Sequence, residues 1–286
     1  MTSSAERRGR YFRTNLRSRG SFWGLFIGIA GSLVVAAAMH DVRVAAAGPA
    51  VTVLLVVLVA YRGAATQAES EFFRELAPAL GLNYTVGGSY VPITPLLAGG
   101  DRQRFEHTME GPLYGRAGGP PCLLGHFSYD TRHEHEDITV WKPHPFTVCA
   151  VDSGAPLVRF RGLYLRRRLS GLGLEHDWLD RAPKPQRVEL ESARFNELYD
   201  LRRTSDQDEL ALRELFSPSF VVWLSEHPLS PGFECKAGTL VVFIPGHEGS
   251  AGKLTLLHEA AREIARRLAK QVEQDAHFSA AGQTIR

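Results

Sequence analysis

The stretch SFWGLFIGIAGSLVVAAAMHDVRVAAAGPAVTVLLVVLVAY, residues 21–61, holds two uncharged apolar runs separated by a short polar link. The runs cover residues 21–39 and 44–61, which is 19 and 18 residues. At about 1.5 Å per helical residue, each run is long enough to cross the roughly 30 Å core of a bilayer. The link at 40–43 is so short that two helices on either side of it must run antiparallel. The sequence therefore predicts a helical hairpin of two transmembrane helices.

A cleaved signal peptide followed by a buried helix is the alternative interpretation of the same stretch. The second apolar run follows directly behind the first, and no clear pattern of small residues marks a cleavage site before a mature start. Both features favour the hairpin. Pro49 lies in the first turns of the second run, where its missing N–H costs a helix little.

Arginine residues are concentrated at the outer ends of the two runs. Arg62 and Arg74 follow the second run, and Arg43 alone lies between the runs. The positive-inside rule then predicts a multi-pass protein of the bacterial plasma membrane with both termini in the cytoplasm. Residues 1–20 form a basic cytosolic arm whose arginines either only fix this topology or also contact anionic lipids of the bilayer. The membrane-proximal arginines of the arm are Arg7, Arg8, Arg10, Arg13, Arg17 and Arg19.

Charge and cysteine content exclude several classes of protein. The formal net charge is +2, and residues 21–286 carry 27 basic and 30 acidic side chains, so no nucleic-acid partner is predicted. Three cysteines leave one over in any disulfide framework, which fits a reducing compartment. The glycine pairs match neither the dinucleotide nor the phosphate-loop motif, and no cofactor is predicted.

The rest of the chain predicts a juxtamembrane helix at 62–81 and a cytosolic α+β domain at 82–286. Phe72, Phe73, Leu76 and Leu80 recur at helical spacing, and Gly81 is the expected stop signal. The fold class is thus a membrane protein with two transmembrane helices plus a cytosolic α+β domain. Further predicted elements are loops with short strands at 83–121, strands at 122–129, 138–142, 146–151, 157–165, 233–236 and 239–244, loose alternation at 195–201, and helices at 206–216, 218–226 and 253–274.

The densest group of candidate metal ligands is HEHED, residues 133–137. If the flanking strands pair as a hairpin, His133 and His135 point to the same side. His126 or Asp137 then completes a site for zinc or another divalent ion. The alternative is a solvated hairpin tip whose charges protect a sheet edge from aggregation.

Two other catalytic patterns are incomplete. His258 and Glu259 begin an H-E-x-x-H-like run, but Arg262 occupies the second ligand position, and a guanidinium cannot coordinate a cation. The apolar stripe of the C-terminal helix predicts that His258 and Glu259 lie on its exposed face. Cys122 near His126 suggests a nucleophile and a base, although a cysteine in an apolar strand is more often a small core residue.

Several short motifs resemble an uncharacterised, DUF3137-like family of bacterial membrane-anchored proteins of actinobacterial type. The motifs are an E-S-x-x-F, then an aspartate, then a helix that ends before x-P-x and a "WL" helix. They match at Glu191, Ser192, Phe195, Asp206, Ser217, Pro218, Trp223 and Leu224, with Leu76, Gly81, Leu82 and Tyr84 resembling the preceding helix-to-strand junction. The resemblance implies a membrane anchor and brings no reaction or ligand with it.

Three functions follow from these observations. The preferred one is a non-enzymatic binding or scaffold module at the inner face of the plasma membrane, with the lipid bilayer and a protein partner or a second copy as partners. A membrane-tethered enzyme that uses a metal at His126 and residues 133–137 is the second. An accessory subunit of a membrane transport complex is the third.

Overall fold

A computed structural model of the 286-residue chain describes residues 4–16, 27–30, 42–88, 90–115, 119–135, 138–154, 160–168 and 185–283. The chain divides into two compact units. One comprises residues 1–76 together with 249–251, and the other comprises residues 77–248 and 252–286.

The first unit is helical. Helix α1 covers Ser4–Leu16, and helix α2 covers Val42–Ala79 without interruption. Residues 27–30 form a further helical turn in which Gly28 lies against Thr52. The chain leaves α2 through Gly81, whose φ of +72° belongs to the left-handed region that glycine adopts without strain.

The predicted fold class, a hairpin of two transmembrane helices plus an α+β domain, is wrong, and a multi-pass topology is not supported. Within the part of the chain that the structure describes, one helix is long and apolar enough to cross a bilayer, over Ala50–Ala79 of α2. The dominant element of the protein is a nine-stranded antiparallel sheet. Length and hydropathy are properties of composition, and by themselves they do not establish a second spanning helix. Residues 21–26 and 31–39 of the first predicted span lie outside the described residues.

The sheet is built from strands that are distant in the sequence. Its order is β1-β2-β3-β4-β9-β8-β5-β7-β6, and each neighbouring pair is antiparallel. The strands are β1 (Asn83–Val86), β2 (Arg102–Pro112), β3 (Pro121–His135), β4 (Ile138–Asp152), β5 (Leu163–Arg167), β6 (Gln186–Val188), β7 (Tyr199–Arg203), β8 (Gly232–Lys236) and β9 (Thr239–Pro245).

Four helices cover one side of the sheet, which we call the helix face. They are α3 (Ala193–Leu198), α4 (Glu209–Leu215), α5 (Pro218–Glu226) and α6 (Ala251–Gln283). Phe216 and Phe220 meet Phe233 of β8 with ring centroids 6.3 and 6.4 Å apart. The opposite side, the loop face, carries Leu96 and Leu97 packed on aromatic residues of β3 and β4. Both faces of the sheet centre are therefore buried.

The start of α3 explains the E-S-x-x-F motif. Ser192 is the N-cap, and its Oγ accepts a hydrogen bond from the Phe195 N–H at 3.3 Å. This spacing of three residues is the N-cap geometry that satisfies a free donor of the first turn. Phe195 itself is fully buried and packs against Tyr199 with ring centroids 5.1 Å apart.

Several element predictions in the domain are also wrong. The region expected as loops with short strands contains the eleven-residue strand β2. The polar segment expected as a hairpin tip is strand as far as His135, because β3 and β4 pair without a break to His135 and Ile138. The segment 195–201 begins within α3 rather than in a strand.

Candidate functional site

Helix α1 lies along the second half of α2 and is held there by ion pairs. Arg7 Nη2 donates to Glu75 Oε2 at 2.6 Å, and Arg7 Nη1 lies 3.7 Å from Glu71 Oε2. Arg8 Nη2 donates to Glu69 Oε1 at 3.4 Å. The Arg7 side chain is only 5% exposed, so its guanidinium is largely withdrawn from water and paired with carboxylates.

Aromatic contacts place α1 at the end of the apolar part of α2. Phe12 and Tyr61 meet edge to face with ring centroids 6.0 Å apart, and the Arg8 guanidinium lies 6.0 Å from the Tyr61 ring. Arg10 and Arg13 are exposed. Of the six arginines predicted near the membrane, two therefore turn toward α2 and two face outward, while Arg17 and Arg19 lie outside the described residues.

The first half of α2 presents an apolar surface that remains exposed among the described residues. Only 11% of its most apolar 18-residue window is buried. Further along the same helix Ala64, Ala68, Phe72 and Phe73 are fully buried. The exposed apolar side chains, with their exposed fractions, are Val51 (54%), Val53 (43%), Leu54 (58%), Leu55 (56%), Leu58 (47%) and Val59 (70%).

The residues predicted to bind a metal ion are spread along one strand. His126 and His133 are seven residues apart on β3, about 23 Å at strand spacing, and an odd separation puts them on opposite faces of the sheet. His133 Nε2 lies 3.1 Å from Thr131 Oγ1. His135 ends β3, and Asp137 lies outside the described residues. His126 and His133 are thus too far apart to bind the same metal ion.

His126 instead joins two histidines from distant parts of the chain. It stacks on His247 with ring centroids 4.4 Å apart and meets His107 edge-on at 6.3 Å. Its Nε2 donates to the Glu248 carbonyl at 3.0 Å, and Tyr84 Oη is 2.9 Å from His107 Nδ1. Across the described ranges, no group of three His, Cys, Asp or Glu side chains is arranged to hold a metal ion.

His247 also connects a serine with a glutamate, as in a hydrolase triad. Ser128 Oγ is 2.9 Å from His247 Nε2, and His247 Nδ1 is 3.9 Å from Glu106 Oε2. However, His247 Nε2 also lies 3.3 Å from the Phe127 carbonyl oxygen, which competes with Ser128 for the same ring nitrogen. Ser128 is 1% exposed as well. We assign these side chains a structural role that ties the segment after β9 to β3.

The expected exposure of His258 is wrong. Its exposed fraction is 3%, whereas its neighbour Glu259 is exposed. The buried face of α6 is wider than the stripe of leucines because Ala260 and Ala265 also pack inward. The Arg262 guanidinium lies 5.6 Å from the centre of the Tyr114 ring, which is a cation–π contact. Arg262 stands where the H-E-x-x-H motif would need its second histidine, and it cannot serve as a metal ligand.

The chain was compared with protein families, with curated protein sequences and with solved structures. No family model matches the chain, and no curated protein sequence matches it. Among solved structures, the mycobacterial trehalose monomycolate transport factor A, TtfA, matches with a TM-score of 0.46 and 12% sequence identity. The match covers 71% of this chain and 94% of that one. These comparisons do not test the resemblance to a DUF3137-like family, which stays a prediction.

Proposed function

We propose that this protein is a membrane-anchored, non-enzymatic binding module in which α2 tethers the nine-stranded sheet domain to the cytoplasmic face of the plasma membrane. The observation that carries the proposal is the contrast within α2. Between residues 51 and 59 it exposes six large apolar side chains, and its second half buries alanines and phenylalanines. Exposing a contiguous apolar surface of this kind to water is unfavourable, whereas the hydrocarbon core of a bilayer accommodates it. The backbone of α2 also tolerates the bilayer, because a helix forms its hydrogen bonds internally.

Basic residues at one end of this apolar surface support the cytoplasmic orientation. Arg62 directly follows Tyr61, and α1 brings the exposed Arg10 and Arg13 to the same end of α2. Arginine is favoured on the cytoplasmic side of a span. The inner leaflet carries anionic lipids, which attract each nearby basic side chain by about 1 kcal/mol. Anionic lipid headgroups are therefore the partners of Arg10, Arg13 and Arg62 in this proposal.

Charged substitutions in the exposed half of α2 test the anchor. We expect the full-length double variant Leu54→Arg/Leu58→Arg to lose its resistance to carbonate extraction from cell membranes. Each arginine near the centre of a span costs about 2.5–3.5 kcal/mol of insertion free energy. The matched control is Val222→Arg, because Val222 is 53% exposed on α5. Extraction of the wild-type chain, or equal retention of the double variant, contradicts the anchor.

A second experiment tests the orientation. Arg213 on α4 is 64% exposed, so cysteine at this position is open to solvent. In intact cells we expect Arg213→Cys to resist a membrane-impermeant maleimide, and to react with it after permeabilisation. Labelling in intact cells would place the sheet domain outside and overturn the cytoplasmic assignment.

The alternative role as a transport accessory subunit predicts in addition that crosslinking of the full chain captures an integral membrane partner.

A further inference from the structure

A partly open cavity of about 520 Å³ lies at the end of the sheet where β6 is the last strand. One wall is formed by residues 188–192, where the chain leaves β6 and enters α3. The other wall is formed by the corner between α4 and α5. All of these residues belong to the sheet domain, so the cavity is separate from the anchor in α2.

The walls of the cavity are mainly apolar, and the inner wall is fixed by the protein core. The apolar lining residues are Val188, Leu190, Phe216, Pro218 and Val221. The Phe216 ring is held by Phe233 of β8 and Phe195 of α3, with ring centroids 6.3 and 5.8 Å away. The volume falls within the roughly 300–1,000 Å³ that is typical of small-molecule sites. The cavity therefore suits a small molecule of mainly hydrocarbon character.

Apolar surface continues outside the cavity. Leu210 is 63% exposed on α4, three residues before Arg213, which lines the cavity. Residues three apart are neighbours on the surface of a helix, so Leu210 lies next to Arg213. A chain longer than the cavity can therefore extend over Leu210, and a chain-like ligand fits better than a compact one.

The charged side chains of the lining favour an uncharged ligand. Glu189 Oε1 lies 3.0 Å from Arg187 Nη2, and Arg213 donates two hydrogen bonds to Glu209 Oε1 at 3.0 and 3.3 Å. The Glu189 and Arg213 side chains are 66% and 64% exposed, so both ion pairs lie at the mouth of the cavity. Glu191 is also exposed, where salt screens its charge. An anionic ligand would have to compete with Glu209 for Arg213.

Ser192 supplies a polar group for recognition. As the N-cap of α3, its Oγ accepts a hydrogen bond from the Phe195 N–H at 3.3 Å. A serine hydroxyl has one O–H donor besides its acceptor lone pairs, so this bond leaves the hydroxyl hydrogen to donate elsewhere. Since Ser192 also lines the cavity, its hydroxyl can donate to an acceptor oxygen of a ligand.

We propose that this cavity binds an uncharged, chain-like apolar molecule with an acceptor oxygen, such as a medium-chain ester. The chain lies among the apolar walls, and the oxygen accepts a hydrogen bond from the Ser192 hydroxyl. This inference goes beyond the proposed function, because it concerns the sheet domain and does not depend on α2. Loss of the membrane anchor would leave the ligand site intact, and loss of ligand binding would leave the anchor intact.

Photo-crosslinking of the full-length protein in phosphatidylcholine nanodiscs tests the site. The probe is methyl octanoate that carries a diazirine in its chain, and the octanoate anion with the same chain is the matched comparison. Peptide mass spectrometry locates the label. We expect the ester to label peptides that contain residues 188–192 and 213–221, besides residues 51–59 of α2, which report the probe dissolved in the bilayer. Normalised to residues 51–59, the ester should label the cavity severalfold more than the anion.

Substitutions in the cavity separate its two contributions. Val221→Trp fills the cavity and should remove the label there while leaving that of residues 51–59 unchanged. Because overpacking can also prevent folding, a pair of variants at Ser192 provides a second test. Both Ser192→Asn and Ser192→Asp keep an N-cap oxygen for the Phe195 N–H, but only asparagine keeps a donor. Ser192→Asp should therefore lower the cavity label about fivefold relative to Ser192→Asn, the value of one ordinary hydrogen bond.

Three results would overturn the proposal. The first is label from the ester that is confined to residues 51–59 in the wild-type protein, which needs no variant to fold. The second is equal normalised labelling of the cavity by the ester and the anion. The third is equal labelling in Ser192→Asn and Ser192→Asp.

Discussion

The wild-type protein is expected to lose roughly 3 kcal/mol of unfolding free energy as the pH rises from 4.5 to about 7, because it buries Glu234. The Glu234→Gln variant is expected to show no such loss. Glu234 lies on β8 and is fully buried on the loop face of the sheet. Burial raises the pKa of its carboxyl from 4.5 to about 7, and the hydrogen bond from the Leu96 N–H and the charge of Arg166 offset this only in part.

The contacts of Glu234 explain why its charged form is costly. Leu96 N donates to Glu234 Oε2 at 2.9 Å, but Glu234 Oε1 has no hydrogen-bond partner within the described ranges. Arg166 is itself buried, and burial lowers the pKa of its guanidinium to about 10. Both members of this pair have therefore lost hydration that their mutual attraction does not replace.

The sign of the pH dependence follows from the raised pKa. Between pH 4.5 and 7 the folded protein holds the Glu234 proton while the unfolded chain releases it. The stabilisation from this group is complete below about 4.5 and is lost as the pH rises through about 7. Glutamine resembles the protonated acid, so the Glu234→Gln variant should match the wild type near pH 4.5 and exceed its stability at pH 8.

Urea unfolding of the full-length protein in detergent, followed by circular dichroism from pH 4.5 to 8, measures this effect. Histidines titrate over the same range, so the informative quantity is the difference between Glu234→Gln and the wild type at each pH. Glu259→Gln is the matched control, because Glu259 is exposed on α6 and should leave the wild-type slope unchanged. An identical pH slope in the wild type and in Glu234→Gln would refute the assignment.

Leu268→Ala is expected to destabilise the protein by about 2–5 kcal/mol at constant pH, because a fully buried leucine leaves a cavity. The helix around it is held against the other helices. The Arg267 guanidinium lies 4.8 Å from the Phe220 ring, and Gln271 Nε2 donates to Glu214 Oε2 at 2.6 Å. Leu268 is thus buried within one copy of the chain, and a seam between two copies does not explain its burial.

The same urea measurement checks Leu268→Ala, with Glu259→Ala as the exposed control on α6. An exposed substitution away from special features should change the unfolding free energy by less than about 0.5 kcal/mol. His258→Ala is not a suitable control, because His258 is itself buried. A change below about 0.5 kcal/mol for Leu268→Ala, or dissociation of an oligomer before unfolding, would show that the helix packs differently.

The prediction of the histidine site illustrates what a local pattern can and cannot indicate. His126 and Ser128 are two residues apart in an apolar strand, a spacing that places both side chains on one face. Their contact with His247, which is 119 residues further along the chain from Ser128, has no local signal. The histidines and acidic residues at 133–137 are neighbours in sequence, but His133 and His126 lie on opposite faces of β3.

The sequence by itself determined the features that depend on neighbours in the chain. The uncharged run at 44–61 lies within α2, Gly81 follows the end of that helix with positive φ, and the leucine stripe at 253–274 lies within α6. Periodicity, hydropathy and the conformational freedom of glycine act over a few residues, so the sequence alone predicts helices and their ends from them.

Only the tertiary structure decided the sheet and the sites on it. Strand β4 pairs with β9 through partners such as Val148 and Phe243, which are far apart in the sequence. Strands at the sheet centre are buried on both faces, so they lack the alternation that identifies a strand, and the exposed, charged start of β2 conceals its eleven residues. Cys122, Cys149 and His258 come from two strands and a helix. Their burial in one domain arises from long-range backbone pairing and helix packing, which local sequence patterns do not encode.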